Sequence, residues 1–408
     1  MTDKSFHPDK QDVYRAMDLL LDASSEIANV TELSDQLPES GIGEHATLSL
    51  LAPMVLGGAT QLGSDVAFAH MDPPTPWITW ITQCWNASLN QNLLHPDVSP
   101  VAGELERLLI QWMCPYFGMT GGHLTPGSTV SNLTALWAAR DLTNIKRVMT
   151  SQASHLSIDK AANILGLELV RLPCNAAGQL DEARLPTDLS DVALVLTAGT
   201  TSEGAIDSLE LTGRAAWTHV DAAWAGPLRF SKKYSAVLAG IENADSIAMS
   251  AHKWLYQPKE SGVLLFRDVE SANGVLSISG SYLTKANVGL LGSHGATAVP
   301  LLATLMAWGR TGLARRIDLA MATADKLVDF LHQQDGIEVF SYNVSGVILW
   351  RSLEHNTADI VRSLPHGAAS TTTVDGQEWI RHVSANPSID IDKLQKSILA
   401  AIATKNAL

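Results

Sequence analysis

The sequence predicts an α/β fold, with a mostly parallel central sheet covered by helices on both faces and a small α+β domain towards the C-terminus. Between about residues 130 and 270, short β-rich runs alternate with helical runs, and the β-rich runs carry apolar residues on both faces. Strands that are apolar on both faces are typical of parallel sheets buried between helices. Ligands of such sheets bind at the carboxyl ends of the strands, so the residues after each strand are the first functional candidates.

The individual elements follow from the hydrophobic periodicity. Apolar side chains recur at helical spacing in two early segments, at Val13, Met17, Leu20, Leu21 and Ala23 and at 105–113, before Cys114-Pro115. The alternating region predicts helices at 132–140 and 157–165 and strands at 147–150, 167–172, 192–198, 217–221, 246–250 and 263–266. The C-terminal part predicts helices at 297–308, 313–331 and 391–402 and strands at 337–341, 346–350 and 379–383.

These elements suggest three parts: an N-terminal helical arm for dimerisation at 1–69, a large domain at 70–310 and a small domain at 311–408. The apolar stretch at 48–58 is shorter than the roughly 20 residues that a membrane-spanning helix needs, and Met1–Ser5 lacks the apolar core of a signal peptide. We therefore expect no membrane partner and a cytoplasmic location.

The composition narrows the class of protein further. With 46% hydrophobic and 17% charged residues, the chain of 408 residues can bury a large core, and its net charge of −14 argues against a nucleic-acid partner. The three cysteines, Cys84, Cys114 and Cys174, are odd in number and widely spaced. We interpret them as small buried apolar residues in a reducing compartment, and we expect neither disulfide bonds nor a metal site.

Three motifs could bind an anion or a flat ligand, although each also has a plain structural explanation. Gly127, Ser128 and Thr129 precede a helix, where backbone N–H groups and hydroxyls can bind an anion or simply cap the helix. His155 lies in a strand-to-helix loop, where a single histidine by itself favours a capping or surface role, and only its order among the other motifs suggests a ligand contact. The turn that contains Thr200 is rich in glycine and threonine, which suits either close approach to a ligand or an ordinary loop.

Two further motifs carry the chemistry. Asp221 ends a predicted strand, and Lys253 follows another within Ser-Ala-His-Lys-Trp at 250–254. A lysine amine can hold an aldehyde cofactor as a Schiff base, and a carboxylate can pair with the ring nitrogen of a pyridine. Together they predict a pyridoxal-phosphate site.

The order of these motifs resembles the pyridoxal-dependent group II amino acid decarboxylases, which include aromatic amino acid, histidine, glutamate and aspartate decarboxylases. The resemblance covers nearly the whole chain and rests on Gly-Ser-Thr at 127–129, His-x-Ser-x-x-Lys-Ala at 155–161, Gly-Thr-Thr-x-x-Gly-Ala-x-Asp at 199–207, His-Val-Asp-Ala-Ala at 219–223 and Ser-x-His-Lys-Trp at 250–254. It implies the fold-type-I transferase-like fold, pyridoxal 5'-phosphate (PLP) as cofactor, and a homodimer with active sites at the subunit interface. The implied reaction is α-decarboxylation of an L-amino acid to the amine and CO2.

The resemblance also implies a role for each motif residue. Lys253 would form the Schiff base and later act as a base or acid, Asp221 would keep the pyridine nitrogen protonated, and His155 would stack on the ring. The remaining cofactor contacts would be Ala223 on the opposite ring face, Thr200 near the ring substituents, and Gly127, Ser128, Thr129, Ser250 and His252 at the phosphate.

The substrate side is less defined by the sequence. Arg381 resembles the small-domain arginine that binds the substrate α-carboxylate, a role that suits a bidentate guanidinium, and a surface arginine on a strand is the alternative. The segment 68–77 resembles the family's substrate-side segment, in which His70 and Asp72 could face a polar or cationic side chain and Trp77 an aromatic one. Turn and core roles explain these residues equally well, so the amino acid is not specified.

One departure from the family keeps other functions open. Many members carry a tyrosine on a long loop that protonates Cα, but here the loop after Tyr282 is short, and Tyr282, His155, His294 and Lys253 are all candidates for this role. The first alternative is a decarboxylation-dependent oxidative deaminase (aldehyde synthase) on the same fold. The second is a catalytically inactive structural or regulatory homologue, against which Asp221 and Lys253 argue.

Overall fold

The computed structural model describes residues 9–22, 33–340 and 344–403. The chain forms two compact units, of which the first ends at Gln61. The described part of this first unit has two helices, α1 (Lys10–Leu21) and α2 (Glu44–Val55). The periodicity around Val13 therefore does mark a helix, whereas Ala23 lies outside the described residues.

A seven-stranded sheet lies in the second unit. Its strands are β1 (Gly121–Thr125), β2 (Arg147–Ser151), β3 (Glu168–Leu172), β4 (Val192–Thr197), β5 (Trp217–Asp221), β6 (Ser246–Ser250) and β7 (Gly262–Phe266). They lie in the order β1–β7–β6–β5–β4–β2–β3; the pairs from β6 to β3 are parallel, and β7 is antiparallel to both neighbours. The mostly parallel sheet is confirmed. Strand β1 was not predicted from the sequence, because it begins with two glycines. The strand requires glycine at position 122, since a Cβ there would lie 1.9 Å from the carbonyl oxygen of Leu264.

Helices cover both faces of this sheet. They are α4 (Ala102–Phe117), α5 (Ser128–Leu142), α6 (Ser157–Leu165), α7 (Val269–Leu276) and α8 (Ala298–His332), while α3 (Trp77–Leu89) packs against α8. Successive residues of β4 point to opposite faces: Leu194 belongs to a buried cluster with residues of α4 and α8, and Val195 to a cluster with residues of α5, α6 and α7. The predicted α/β fold class is therefore confirmed.

A second, smaller sheet follows in the chain. After the short pair β8 (Ser277–Ile278) and β9 (Asn287–Val288), it is formed by β10 (Ile337–Val339), β11 (Val347–Ser352), β12 (Ser370–Val374) and β13 (Gln377–Val383), with α9 (Thr357–Ser363) and α10 (Ile391–Ala403). All its pairs are antiparallel, in the order β10–β11–β13–β12. Ser341, the predicted end of β10, lies outside the described residues. The domain boundaries at 69 and 310 stay predictions, since both sheets belong to the unit that begins at Leu62.

Three details differ from or sharpen the expectations. Helix α4 continues through Pro115 instead of ending before it, and α8 is kinked at Gly309, whose φ of 61° is not helical. Only Cys114 is buried, while Cys84 is exposed, so the expectation of buried cysteines was wrong for Cys84. Within the described ranges, no helix has the length and apolar character needed to cross a membrane.

Candidate active site

A cavity of about 220 Å³ lies where β4, β5 and β6 end and α5 begins. Because these three strands are parallel, their carboxyl ends meet at one edge of the sheet. The wall of the cavity contains most of the motif residues: Gly127, Ser128, Thr129, His155, Asp221, Ala223, Ser250, His252 and Lys253. Motifs that are far apart in the sequence therefore form a single site.

Lys253 follows β6 and is fixed by the tryptophan next to it. The Trp254 side chain is fully buried, its indole N–H donates to the carbonyl oxygen of Ser384 (3.0 Å), and its ring centroid lies 4.2 Å from that of Trp224. Among the described residues, none makes a hydrogen bond or ion pair with the Lys253 amine. The backbone is thus held by the core while the amine remains available to a ligand.

The surroundings of Lys253 favour its uncharged form. Burial lowers the pKa of the Lys253 amine; Asp221 and Asp72 oppose this shift, and the positive charges of Lys259 and Arg381 add to it. The neutral amine is the nucleophile that attacks an aldehyde. The lowered pKa is compatible with the role that the sequence motif predicts for Lys253.

Asp221 is a buried carboxylate at the end of β5. It is 4% exposed; its Oδ2 accepts a hydrogen bond from the Asn132 side-chain N–H (2.8 Å), and its Oδ1 accepts one from the Ala223 backbone N–H (3.1 Å). In the described part of the chain no cation forms an ion pair with it. A buried carboxylate without a counter-ion is costly, so this site favours a ligand that brings a positive charge.

His155 lies at the mouth of the cavity with its Nδ1 turned to the protein. Nδ1 is 2.9 Å from the Ser157 hydroxyl oxygen and accepts a hydrogen bond from the Ser157 backbone N–H (3.2 Å). Partial burial lowers the pKa of His155, although the charge of Asp221 opposes the shift. An uncharged imidazole suits contact with a flat aromatic ring.

The Gly-Ser-Thr segment lies at the N-terminus of α5, which begins at Ser128 and not at residue 132. Gly127 has a φ of 120°, which disfavours any other residue, and it lets the chain turn into the helix. The hydroxyl oxygens of Ser128 and Ser250 are 2.8 Å apart, so the two motifs meet. His252 lies beside them, and burial lowers its pKa to about 4. Backbone N–H groups and hydroxyls at a helix start form a site for a phosphate group.

Arg381 lies on β13 and is 6% exposed, not at the surface. Its guanidinium donates to the carbonyl oxygens of Thr201 (2.9 Å) and Ala69 (3.0 Å), and burial lowers its pKa to about 10. Asp72 forms an ion pair with Lys259; burial opposes its ionisation, but Lys259 lowers the Asp72 pKa overall. Arg381 is thus a buried cation whose other N–H groups can bind an anion.

Thr200 does not face the cavity, in contrast to its expected place near the ring substituents. It is 1% exposed, its hydroxyl donates to Glu203 (3.0 Å), and the same oxygen accepts the backbone N–H of Ala205 (3.0 Å). Its side chain therefore closes the turn after β4. Besides Thr129, the threonines that line the cavity are Thr197 and Thr201.

Arg381 and Asp72 are not part of the cavity wall, and four other candidates also lie outside it within a single chain. Tyr282 is 72% exposed, and its ring centroid lies 6.4 Å from that of His95. Trp77 is 68% exposed at the start of α3, His70 is exposed as well, and His294 is half-buried. For Tyr282, Trp77, His70 and His294, a role in catalysis or substrate binding requires that they contribute to the site of another subunit or that the chain moves.

A layer of buried polar side chains that the sequence motifs do not predict lies beneath the cavity. Asn132 and His219 are both fully buried, and Ser157 is 1% exposed. The available signal was a histidine inside the apolar strand β5, because a polar side chain in a buried strand needs a partner. Neither its partner nor the role of Asn132 can be inferred from local sequence.

The fold and the site define a class of enzyme. An α/β sheet with a buried lysine, an unpaired carboxylate and an anion-binding helix start at its strand ends belongs to the fold-type-I enzymes that use PLP. The family model described as pyridoxal-dependent decarboxylase conserved domain matches residues 51–352. The chain belongs to this family: it is a PLP-dependent amino acid decarboxylase, a lyase, as the sequence predicted. The two alternative functions are not favoured.

Individual relatives and structures agree with this assignment. L-2,4-diaminobutyrate decarboxylase of Rhizobium meliloti is 29% identical over 90% of this chain and 83% of its own length. Aromatic-L-amino-acid decarboxylase of Bacillus atrophaeus is 23% identical over 93% and 92%. The structure of Oryza sativa TDC with PLP and tryptamine has a TM-score of 0.85 at 21% identity, covering 97% of this chain and 98% of that one, which supports the fold.

The residues of the cavity fit PLP feature by feature. The aldehyde requires an amine without a partner, which Lys253 provides. A protonated ring nitrogen requires a buried carboxylate without a counter-ion, which Asp221 provides. The phosphate requires N–H groups and hydroxyls at a helix start, which the segment 127–129 and Ser250 provide.

Proposed function

We propose that this cavity is the active site and that Lys253 binds the aldehyde of PLP. Asp221 pairs with the ring nitrogen, His155 and Ala223 contact the two ring faces, and the start of α5 binds the phosphate. The observation that carries this proposal is that the Lys253 amine and the Asp221 carboxylate line one cavity and neither has an ion-pair partner in the described chain. When bound, PLP accepts the electrons of the Cα–carboxylate bond as CO2 leaves.

Arg381 binds the α-carboxylate of the substrate. Two of its N–H groups are occupied by the carbonyl oxygens of Thr201 and Ala69, which hold the guanidinium in one place. Its other N–H groups can form charge-assisted hydrogen bonds with a carboxylate. A guanidinium held in one position orients the substrate carboxylate and therefore the Cα–carboxylate bond that breaks. Restricting this orientation contributes a large part of the rate enhancement in such reactions.

The proton that replaces CO2 comes from a group near Cα. Of the candidates in one chain, Lys253 and His155 line the cavity, whereas Tyr282 and His294 do not. The lowered pKa of Lys253 lets its amine gain and lose a proton nearer to neutral pH than an exposed lysine does. We therefore assign proton transfer to Lys253 or His155.

The substrate class is tested by incubating the PLP-loaded protein with L-amino acids and measuring CO2 and amine. L-2,4-Diaminobutyrate, L-aspartate and aromatic amino acids come first, because relatives that are 29%, 27% and 23% identical carry these names. We expect amine and CO2 in equal amounts from one of them. Aldehyde, ammonia and peroxide would instead identify the oxidative alternative, and no turnover of any amino acid would contradict the proposal.

The role of Lys253 has its own test. Lys253→Ala should abolish CO2 release and the absorption band of the bound cofactor. Lys326→Ala removes an exposed lysine of α8 and should change neither property. Retention of the band in Lys253→Ala would show that another amine holds the cofactor.

The assembly and location are proposed as well: a homodimer in the cytoplasm, with the active site at the subunit interface. Supporting the dimer, α3 exposes three large apolar side chains, which indicate a surface for association: Trp77, Trp85 and Leu89. We expect light scattering to give twice the mass of the 43.7 kDa chain. A monomer with full decarboxylase activity would contradict this assembly.

A further inference from the structure

A continuous series of buried hydrogen bonds runs beneath the cavity. The indole N–H of Trp217 donates to the Ser246 hydroxyl (2.9 Å), and this hydroxyl lies 2.8 Å from His219 Nδ1. His219 Nε2 lies 2.9 Å from Asn132 Oδ1, and the Asn132 amide N–H donates to Asp221 Oδ2 (2.8 Å). All five side chains are less than a tenth exposed. The network therefore leads from the core to the carboxylate of the cofactor site.

A branch of the same network reaches His155. The Asn132 side-chain nitrogen also donates to the Ser157 hydroxyl (2.9 Å), which lies 2.9 Å from His155 Nδ1. One amide group thus connects Asp221, at the ring nitrogen, with His155, at the ring face. Residues of three different elements meet at this amide: the start of α5, the end of β5 and the start of α6.

The direction of every hydrogen bond is fixed from both ends. An indole N–H can only donate, and an ionised carboxylate can only accept. The Asn132 nitrogen must therefore face Asp221, and its oxygen must accept from His219 Nε2–H. His219 is neutral, because burial lowers its pKa to about 4, so its Nδ1 accepts the proton of the Ser246 hydroxyl.

The branch is equally determined. The Ser157 hydroxyl oxygen accepts from Asn132. Because His155 Nδ1 already accepts from the Ser157 backbone N–H, it carries no proton, and the Ser157 hydroxyl donates to it. The Ser157 backbone N–H donates to the same nitrogen (3.2 Å). Two donors at Nδ1 exclude a proton there, and the neutral imidazole of His155 then carries its proton on Nε2.

We propose that Asn132 is a positioning residue that holds both polar partners of the cofactor ring, acting directly on Asp221 and through Ser157 on His155. It holds the Asp221 carboxylate in one orientation, and it keeps His155 as the neutral tautomer with Nε2–H as its donor. The inference rests on the proposed function, because it concerns residues that act on PLP.

Three variants and the wild type test this role through PLP affinity, measured by titrating the apoprotein and following cofactor absorbance. Asn132→Ala should weaken PLP binding by about tenfold to a hundredfold, the effect of losing a hydrogen bond to a charged group. Asn132→Asp keeps the shape but places a carboxyl group against Asp221, so its loss should be at least as large. Thr134→Val changes a buried residue of the same helix whose hydroxyl has no partner among the described residues, and it should bind PLP as the wild type does.

The comparison of the two Asn132 variants distinguishes positioning from packing. If Asn132→Asp binds PLP like the wild type while Asn132→Ala does not, Asn132 merely fills space and the proposal is overturned. Unchanged affinity in both variants overturns it as well. A wild-type chain that takes up no PLP would instead contradict the proposed function itself.

A second measurement applies even where the Asn132 variants do not fold. Ser157→Ala removes the hydroxyl donor at His155 Nδ1, whereas Ser157→Thr retains it. We expect the pH profile of kcat to shift in the alanine variant, with the His155 pKa rising because Nδ1 is freer to gain a proton, and to return to the wild-type profile in the threonine variant. Identical profiles in all three proteins would overturn the branch to His155.

Discussion

Replacing Asp221 by asparagine separates the needs of the cofactor from those of the fold. The substitution keeps the shape of the side chain and removes its charge. In the structure, the two carboxylate oxygens accept from the Asn132 and Ala223 N–H groups, and no described residue forms an ion pair with the carboxylate. An amide has a single acceptor oxygen, so one of these two donors then faces an NH2 group.

The expected magnitudes differ for the apoprotein and the PLP-bound protein. In the apoprotein, losing one hydrogen bond to a charged group costs about 1.5–3 kcal/mol, and removing an uncompensated buried charge offsets much of this cost. We therefore expect the apoprotein's free energy of unfolding to change by less than about 1 kcal/mol. In the PLP-bound variant, the ring nitrogen of PLP lacks its carboxylate partner. A hydrogen bond to a charged group is worth a factor of about ten to a hundred in affinity, so we expect PLP to bind the variant that much more weakly.

Urea unfolding with and without PLP measures both quantities. At a PLP concentration of about 100 times the wild-type Kd, the wild type should gain about 2.7 kcal/mol. With a hundredfold weaker Kd, Asp221→Asn should gain only about 0.4 kcal/mol. A variant that PLP stabilises as strongly as the wild type would refute the assignment of Asp221 to the ring nitrogen.

Three other outcomes follow from the structure. Arg381→Lys should raise KM about tenfold or more while leaving PLP affinity unchanged, because a lysine cannot bind Thr201, Ala69 and a carboxylate together. Steady-state kinetics measures this effect, and a change in kcat with an unchanged KM would contradict the assignment of Arg381. His382 is fully buried, and burial lowers its pKa to about 4 from a usual value of 6.5. Between these two pH values the unfolded chain binds a proton at His382 and the folded chain does not, so the free energy of unfolding falls as the pH drops from 6.5 to 4. This fall should reach about 3 kcal/mol for this residue, and urea titrations of His382→Gln should show a shallower pH dependence than those of the wild type. Gly204→Ala should lower the free energy of unfolding by about 1–3 kcal/mol, because a Cβ there, at a φ of 71°, would lie 2.5 Å from the Ser345 hydroxyl; an unchanged urea midpoint would contradict this.

Most of the residues predicted for the cofactor side line the cavity, whereas those predicted for the substrate side do not. Lys253, Asp221 and the Gly-Ser-Thr segment each lie at a strand end or a helix start, where position in the element decides exposure to a ligand. Thr200 was misplaced because a turn rich in threonine and glycine does not reveal which hydroxyl closes the turn and which faces the cavity. Arg381 was expected either at the carboxylate or at the surface, and only its burial excludes the second.

The sequence by itself determined the α/β class, the parallel sheet and the family, because these depend on periodicity and on motifs a few residues long. The tertiary structure decided which side chains share an environment. Asn132 and Asp221 are 89 residues apart and 2.8 Å from each other, and Arg381 reaches carbonyl groups that are 180 and 312 residues away. The lowered pKa of Lys253 has the same origin, since burial and the nearby charges come from distant segments of the chain. Such proximity depends on how the whole chain packs and leaves no mark in any short stretch of sequence.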